Sequence, residues 1–337
     1  MNSPSSDPIL RVENLTTEFR IKGQWHPAIR SLSFTVGRNE TLAIVGESGC
    51  GKSITALSIM RLIPPAQGRV AAGRVVLADN DLLTLPEARM EKIRGDRMAM
   101  IFQEPMTSLN PVMTIGGQIA EAVRYHKGLS KRDARARALE LLEWVRIPAA
   151  ARRYDDYPHQ FSGGMRQRVM IAMALACEPD LLLADEPTTA LDVTIQVQIL
   201  ALLAELKERR SMGMIFITHN LGVVASIADR VAVMYGGRII EEADVESLFD
   251  RPTHPYTEAL LRSMPRVDQP RAELVPIPGQ VPPITTETPG CRYADRCPLA
   301  QPRCREAMPP LASVDGSTTH RARCWVRAEP TDEEVFA

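Results

Sequence analysis

An apolar run, Thr41-Leu42-Ala43-Ile44-Val45, passes directly into Gly46-Glu47-Ser48-Gly49-Cys50-Gly51-Lys52-Ser53, and helical spacing follows from Ile54 to Leu62. No other stretch restricts the possible folds so tightly. G-x-x-x-x-G-K-S between a buried strand and a helix is a loop that holds phosphate. Its glycines permit a tight turn in which several backbone N–H groups point at one anion. The helix beginning there adds about half an elementary positive charge. In such a loop Lys52 reaches the β- and γ-phosphates, and the Ser53 hydroxyl holds Mg2+. A glycine-rich turn that binds nothing has no need of the Lys-Ser ending. The spacing predicts an α/β nucleoside-triphosphatase core of the P-loop type.

The 337 residues suffice for one large domain or about two. A net charge of -1 leaves no overall basic excess for nucleic acid or an anionic membrane. No apolar run approaches the ~20 residues of a membrane-spanning helix. The start, MNSPSSDPIL, has neither the basic nor the apolar region of a signal peptide. These features predict a cytoplasmic protein that reaches a membrane only by docking on other subunits.

Residues 9–100 alternate short apolar runs with turns, as a mixed sheet does. Between 104 and 165 the pattern changes: Ile115 to Val145 has helical spacing and predicts a helical insertion. Strands are predicted at Leu181–Asp185, Met214–Thr218 and Val231–Tyr235, with Gly236-Gly237 turning into Arg238–Glu241. Beyond about residue 250 prolines multiply, which disfavours long helices and central strands. This tail reads as an extended appendage that needs a staple.

Leu181-Leu182-Leu183-Ala184-Asp185-Glu186 is an apolar strand ending in two acids. A run buried on both faces belongs in a parallel sheet. Its acidic end is expected at the sheet's carboxyl edge, where nucleotides bind. Asp185 would help hold Mg2+ through its water shell, and Glu186 would polarise the attacking water as general base.

Phe161-Ser162-Gly163-Gly164-Met165 precedes that strand and leads into a helix near Arg166. Here the chain resembles the ATP-binding cassette (ABC) family, whose signature usually reads Leu-Ser-Gly-Gly-Gln. Without the family, Ser162 is a plain helix N-cap. With it, Ser162, Gly163 and Gly164 form an anion site for the γ-phosphate on another subunit. Met165 cannot supply the glutamine's hydrogen bonds, but the backbone contacts need no particular side chain. Further elements fall in family order. Gln103, in Ile101-Phe102-Gln103-Glu104-Pro105, resembles the residue that senses Mg2+ and the γ-phosphate. Thr189-Ala190-Leu191-Asp192 resembles the loop that crosses the dimer interface. His219 occupies the switch-histidine position, and Phe19, or alternatively Trp25, would stack on adenine. The resemblance covers about residues 9–250. It implies that two cassettes close head to tail on two ATP molecules, each site pairing one subunit's loop with the other's signature. The ABC nucleotide-binding domain would span 1–250, with a helical subdomain at about 104–165 and a C-terminal extension at 251–337.

The tail narrows the family. Thr253-His254-Pro255-Tyr256-Thr257, Pro276-Ile277-Pro278-Gly279 and Gly290-Cys291-Arg292-Tyr293-Ala294-Asp295-Arg296-Cys297-Pro298 resemble the C-terminal extension of ATPase subunits of bacterial oligopeptide/dipeptide importers. Nickel importers share that branch. The resemblance implies the first ATPase of a heterodimeric pair, two permeases, an extracytoplasmic solute-binding protein, and a place on the cytoplasmic face of the cell membrane. A non-transport ABC ATPase is the alternative; those usually carry tandem cassettes or a long coiled-coil insertion. Cys291, Cys297, Cys304 and Cys324 have the spacing C-x5-C-x6-C-x19-C. Four thiolates suit zinc or an iron–sulfur cluster. The family resemblance favours [4Fe–4S]; zinc and free thiols are the alternatives. Cys50 lies within the phosphate loop and reads there as no more than a small side chain, although its oxidation or alkylation would block ATP. Cys177 reads as a small buried residue.

Overall fold

The computed structural model describes residues 8–104, 108–189, 191–264 and 276–328. Pro105 and Ala190, each in a motif quoted above, and Pro265 and Pro270, two of the tail's many prolines, lie outside them. Alternating burial marks the first strands, β1 (Leu10–Ile21) and β2 (Gln24–Val36), as having one core face each. β3 (Thr41–Val45) is buried at every position. The helix Lys52–Ile59 begins two residues before the predicted start, because Gly51 takes the left-handed cap that lets Lys52 and Ser53 enter the first turn. β4 (Gly68–Leu77), β5 (Asn80–Asp81) and β6 (Met98–Ile101) follow.

The predicted helical run at 115–145 is two helices, Ile115–Lys127 and Lys131–Trp144. Gly128 ends the first in the left-handed region, and the Ser130 hydroxyl caps the second by accepting from the Asp133 N–H. β7 (Leu181–Asp185), β8 (Gly213–Thr218), β9 (Arg230–Tyr235) and β10 (Arg238–Asp244) agree with the sequence reading within a few residues. Gly236 and Gly237 both have positive φ, as the tight turn between β9 and β10 requires.

The chain divides into two compact units. The first comprises Met1–Leu10, Val36–Glu40 and Leu77–Phe216. In it β8, β7 and β6 lie in that order, with β6 and β7 parallel in the register Met98↔Leu181. Its helices Ile115–Lys127 and Lys131–Trp144 pack together, and Ile115, Ile119 and Val123 of the first and Ala134, Ala138, Leu141 and Leu142 of the second are buried. Tyr154 lies so close to Gly116 that any side chain there would collide with its ring.

The second unit comprises Arg11–Thr35, Thr41–Val76 and Ile217–Ala337. Its strands run in the order β11 (Ala312–Ser313), β12 (Arg321–Ala322), β10, β9, β3. β3 and β9 are parallel, while β9, β10, β12 and β11 pair antiparallel. This corrects the reading of the tail as an extended appendage. Glu241 and Glu242 of β10 pair with Ala322 and Arg321, so the tail extends the sheet. Tyr256 and Tyr293 of the tail pack with Tyr235 in one core cluster with Ala43, Val45 and Val233. Their rings meet edge to face with centroids 4.7 to 5.3 Å apart. Local composition counts prolines, but these contacts arise from residues distant in sequence.

Candidate nucleotide site and its C-terminal support

β3 carries the chain into the loop, and the loop's shape depends on positive φ at Gly46, Gly49 and Gly51. A Cβ on Gly46 would strike the Met234 carbonyl oxygen, and one on Gly51 would lie 2.7 Å from Ile29 Cδ1. Lys52 is buried, and its Nζ donates to the carbonyls of Gly46 at 2.8 Å and Glu47 at 3.1 Å. The Gly237 N–H donates to the Cys50 carbonyl at 2.9 Å, so the β9–β10 turn supports the loop from behind. Ser53 lies in the first turn of the following helix. Cys50 is only 1% exposed, as suits a small side chain packed within the loop, and burial pushes its thiol pKa up. Such a thiol is poorly disposed to oxidation or alkylation. Cys177 is fully buried as expected, and burial pushes its thiol up to about 11.

Two groups not assigned a role from sequence converge on Glu47. The Tyr256 hydroxyl accepts from the Glu47 N–H at 2.8 Å. Arg296 grips the Glu47 carboxylate with both terminal nitrogens, at 2.7 and 3.0 Å. That bidentate bond is the main cause holding the Arg296 pKa above its usual value. Burial pushes the Tyr256 phenol up, so its hydroxyl stays protonated at neutral pH.

In the first unit, Asp185 ends β7 in a buried position. Glu186 follows at φ 47, in the left-handed region, where a non-glycine residue is uncommon. Its Oε2 accepts from Gln103 Nε2 at 3.2 Å and from Thr189 Oγ1 at 2.8 Å. The structure therefore brings Gln103, Glu186 and the start of the Thr189–Asp192 segment together. The Ser162 hydroxyl caps the helix Gly163–Ala174 by accepting from the Met165 N–H. Ser162 and Gly163 are exposed, and a Cβ on Gly163 would meet open space. A Cβ on Gly164 would come 2.9 Å from Ile195 Cγ2. Asp192 caps the helix Val193–Arg210, accepting from the Ile195 N–H at 2.9 Å.

In the second unit, His219 is exposed immediately after β8. Phe19 lies half-buried on β1 near Gly68. One face of Trp25 is covered by the Arg69 guanidinium, 4.3 Å from the ring centre.

The tail is held by polar groups as well as by tyrosines. The fully buried Glu241 carboxylate accepts from the N–H groups of Thr253 and His254 and pairs with His320 Nε2 at 2.8 Å. His254 caps the helix Pro255–Arg262 through its ring, accepting from the Tyr256 N–H. Burial depresses the His254 pKa to about 4, with Glu241 opposing the shift. Between that value and the ordinary 6.5 the unfolded chain binds the extra proton, so stability falls as pH drops from about 6.5 to about 4. Melting curves across this window check the point; a His254→Gln variant should lose part of the slope.

Cys291, Cys297, Cys304 and Cys324 all line one cavity of about 20 Å³. That is roughly room for one water. Among the described residues, no three His, Cys, Asp or Glu side chains are arranged to hold a single metal ion. The zinc alternative thus finds no single-ion arrangement. Four thiols are also the donor set of a polynuclear cluster. Burial pushes the Cys291 thiol up to about 11 and raises that of Cys297.

Comparison with known proteins agrees with this geometry. The ABC transporter family pattern matches residues 29–189, and that of the oligopeptide/dipeptide transporter C-terminal region matches 240–304. A probable peptide ABC transporter ATP-binding protein of Sinorhizobium fredii is 52% identical, over 96% of each chain. The dipeptide transport ATP-binding protein DppD of Bacillus subtilis is 48% identical over 98% of each. Among solved structures, the ABC cassette MJ0796, dimeric and bound to ADP and phosphate after hydrolysis, superposes with a TM-score of 0.63. It is 28% identical and covers 70% of this chain and 98% of its own. The loop with its buried lysine, the acidic end of β7 and near-full-length relatedness lead to one conclusion: this chain belongs to the ATP-binding proteins of ABC transporters, ATPases whose hydrolysis is coupled to transport.

Proposed function

We propose that this chain energises the import of peptides, di- or oligopeptides, through a binding-protein-dependent transporter. The observation that carries this reading is the C-terminal region at 240–304, joined to relatives named for peptide and dipeptide transport. Lys52 binds the β- and γ-phosphates, and Gly46, Glu47, Ser48, Gly49, Cys50 and Gly51 supply the loop around them. Ser53 and Asp185 are the residues that would hold Mg2+, which screens phosphate charge when bound. Glu186 takes a proton from the attacking water, with Gln103 and His219 orienting groups near it. Phe19 stacks on adenine. The exposed start of the Gly163–Ala174 helix, with Ser162, Gly163 and Gly164, receives the γ-phosphate of a partner cassette. Asp192 lies at the interface. The dimeric state of the MJ0796 cassette supports that arrangement.

The partner is a second, homologous ATPase, and the pair sits on two permeases at the cytoplasmic face of the inner membrane. An extracytoplasmic solute-binding protein delivers the peptide. The cassette spans 1–250 with its helical subdomain at about 104–165, and the extension spans 251–337. Reconstituted with its permeases and binding protein in vesicles, the complex should take up labelled dipeptide only with ATP. ATP hydrolysis unaffected by any peptide-loaded binding protein, with no uptake, would reject peptide import.

The four cysteines are proposed to hold a [4Fe–4S] cluster, with zinc as the alternative. Their convergence on one cavity supports a shared ligand. A cluster there would staple the tail rather than carry electrons. Protein purified without oxygen should contain about four irons and four sulfides per chain, and Cys297→Ser should lose most of them. Iron and zinc contents unchanged by that substitution would sink the assignment.

A further inference from the structure

We propose that Arg296 is a positioning residue for the phosphate loop, acting through Glu47 although 249 residues separate the two. This inference rests on the loop binding ATP. Glu47 is held through each of its polar parts: its N–H by the Tyr256 hydroxyl, its carbonyl by Lys52 Nζ, and its carboxylate by the Arg296 fork. The lysine assigned to the phosphates and the arginine of the tail therefore meet on one loop residue. Arg296 is itself fixed. Its Nε donates to the Pro278 carbonyl at 2.7 Å, and Nη1 to the Tyr235 hydroxyl at 3.1 Å. Its side chain is 6% exposed, against 29% for Glu47. A partly buried bidentate pair is stronger and more directional than a pair on the open surface. The short turn Ala294–Arg296 that presents the guanidinium lies between Cys291 and Cys297, and the Ala294 N–H donates to the Cys291 carbonyl at 3.0 Å.

Two physical effects follow. Fixing the carboxylate sets the orientation of the Glu47 peptide groups, and these belong to the backbone that must converge on phosphate. The guanidinium also cancels a negative charge within the loop, which would otherwise oppose a triphosphate. Without Arg296 the loop spends less time in the binding conformation, and apparent affinity falls by that fraction. Turnover at saturation, set by Glu186 and the groups that act on the attacking water, stays close to normal.

The test uses the full-length chain in its assembled complex, with MgATP as the probe. Arg296→Ala should raise the KM for ATP about tenfold while kcat changes less than about twofold. Arg296→Lys keeps the charge but loses the fork, and should fall between. Adding Glu47→Gln to Arg296→Ala removes the uncancelled charge and should restore part of the affinity. A tie that merely stabilised the tail would lower the melting temperature and leave KM unchanged, which overturns the proposal. Strictly additive effects of the two substitutions on ATP affinity overturn it as well. If Arg296→Ala does not fold, the KM of Arg296→Lys decides by the same criterion. Unaltered protein that binds no ATP would instead defeat the reading of the loop itself.

Discussion

Glu186→Gln should leave ATP binding intact and slow hydrolysis by at least about a hundredfold, the scale expected for loss of a general base. The substitution is informative because its structural cost is small. Glu186 stands at φ 47 just after β7, and the geometry is fixed by the strand before it and by Pro187 after it. Proline disfavours a right-handed helical conformation at the preceding residue. The glutamine side chain has the same length and retains an oxygen that can accept from Thr189 Oγ1, now 2.8 Å from Glu186 Oε2. What it loses is the capacity to take a proton from water. Strained backbone of this kind costs about 1–3 kcal/mol and persists where the surroundings enforce it. Phosphate release and nucleotide binding, measured on the same preparation of the complex, separate the two steps. Near-normal turnover would remove Glu186 as the base and leave its position beside Gln103 without a catalytic meaning.

Local pattern was enough for the parts of the structure that local rules govern. β3 and β7 are short, fully buried apolar runs, and the glycine pair at 236–237 marks the β9–β10 turn. The split of the 115–145 helical stretch was also present in sequence, in Gly128 and Ser130, but apolar periodicity continues across it and masks the break. The tail was harder to read because its order comes from distant partners. Nothing near Tyr256 or Tyr293 indicates that both pack on Tyr235, nor that residues 321–322 return to pair with β10. Arg296 lies within a motif recognised from sequence, yet its partner is Glu47, and no short-range spacing could reveal that. Ser162 and Asp192 show the converse. Sequence placed both at phosphate or interface positions and offered Ser162 as an N-cap; in the structure each caps its helix and satisfies a donor of the first turn, a role sequence had not given Asp192.

Gly46→Ala should abolish ATP binding and lower the unfolding midpoint by several degrees, whereas Gly49→Ala should do much less. Both glycines have positive φ, at 153 and 79, so backbone preference alone does not separate them. Space does. A Cβ on Gly49 meets nothing within 4 Å, but one on Gly46 collides with the Met234 carbonyl oxygen and lies 2.8 Å from Cys50 Sγ. Met234 cannot withdraw easily, because β9 pairs with β10 on one side and with β3 on the other, Val45 opposite Val233. Relief must come from the loop. Overpacking of this kind costs about 1–3 kcal/mol, and here the displaced atoms include the Gly46 carbonyl that holds Lys52 Nζ at 2.8 Å. Moving it shifts the lysine and the adjoining Glu47 together, so lost stability and lost nucleotide binding have one cause. For Gly49→Ala only backbone strain remains, about 1–2 kcal/mol, and the lysine keeps its carbonyl. Thermal unfolding and ATP titration of the two variants side by side decide the matter. Equal effects at both positions would mean that φ alone makes glycine necessary, and that the close approach of β9 to the loop has no part in binding.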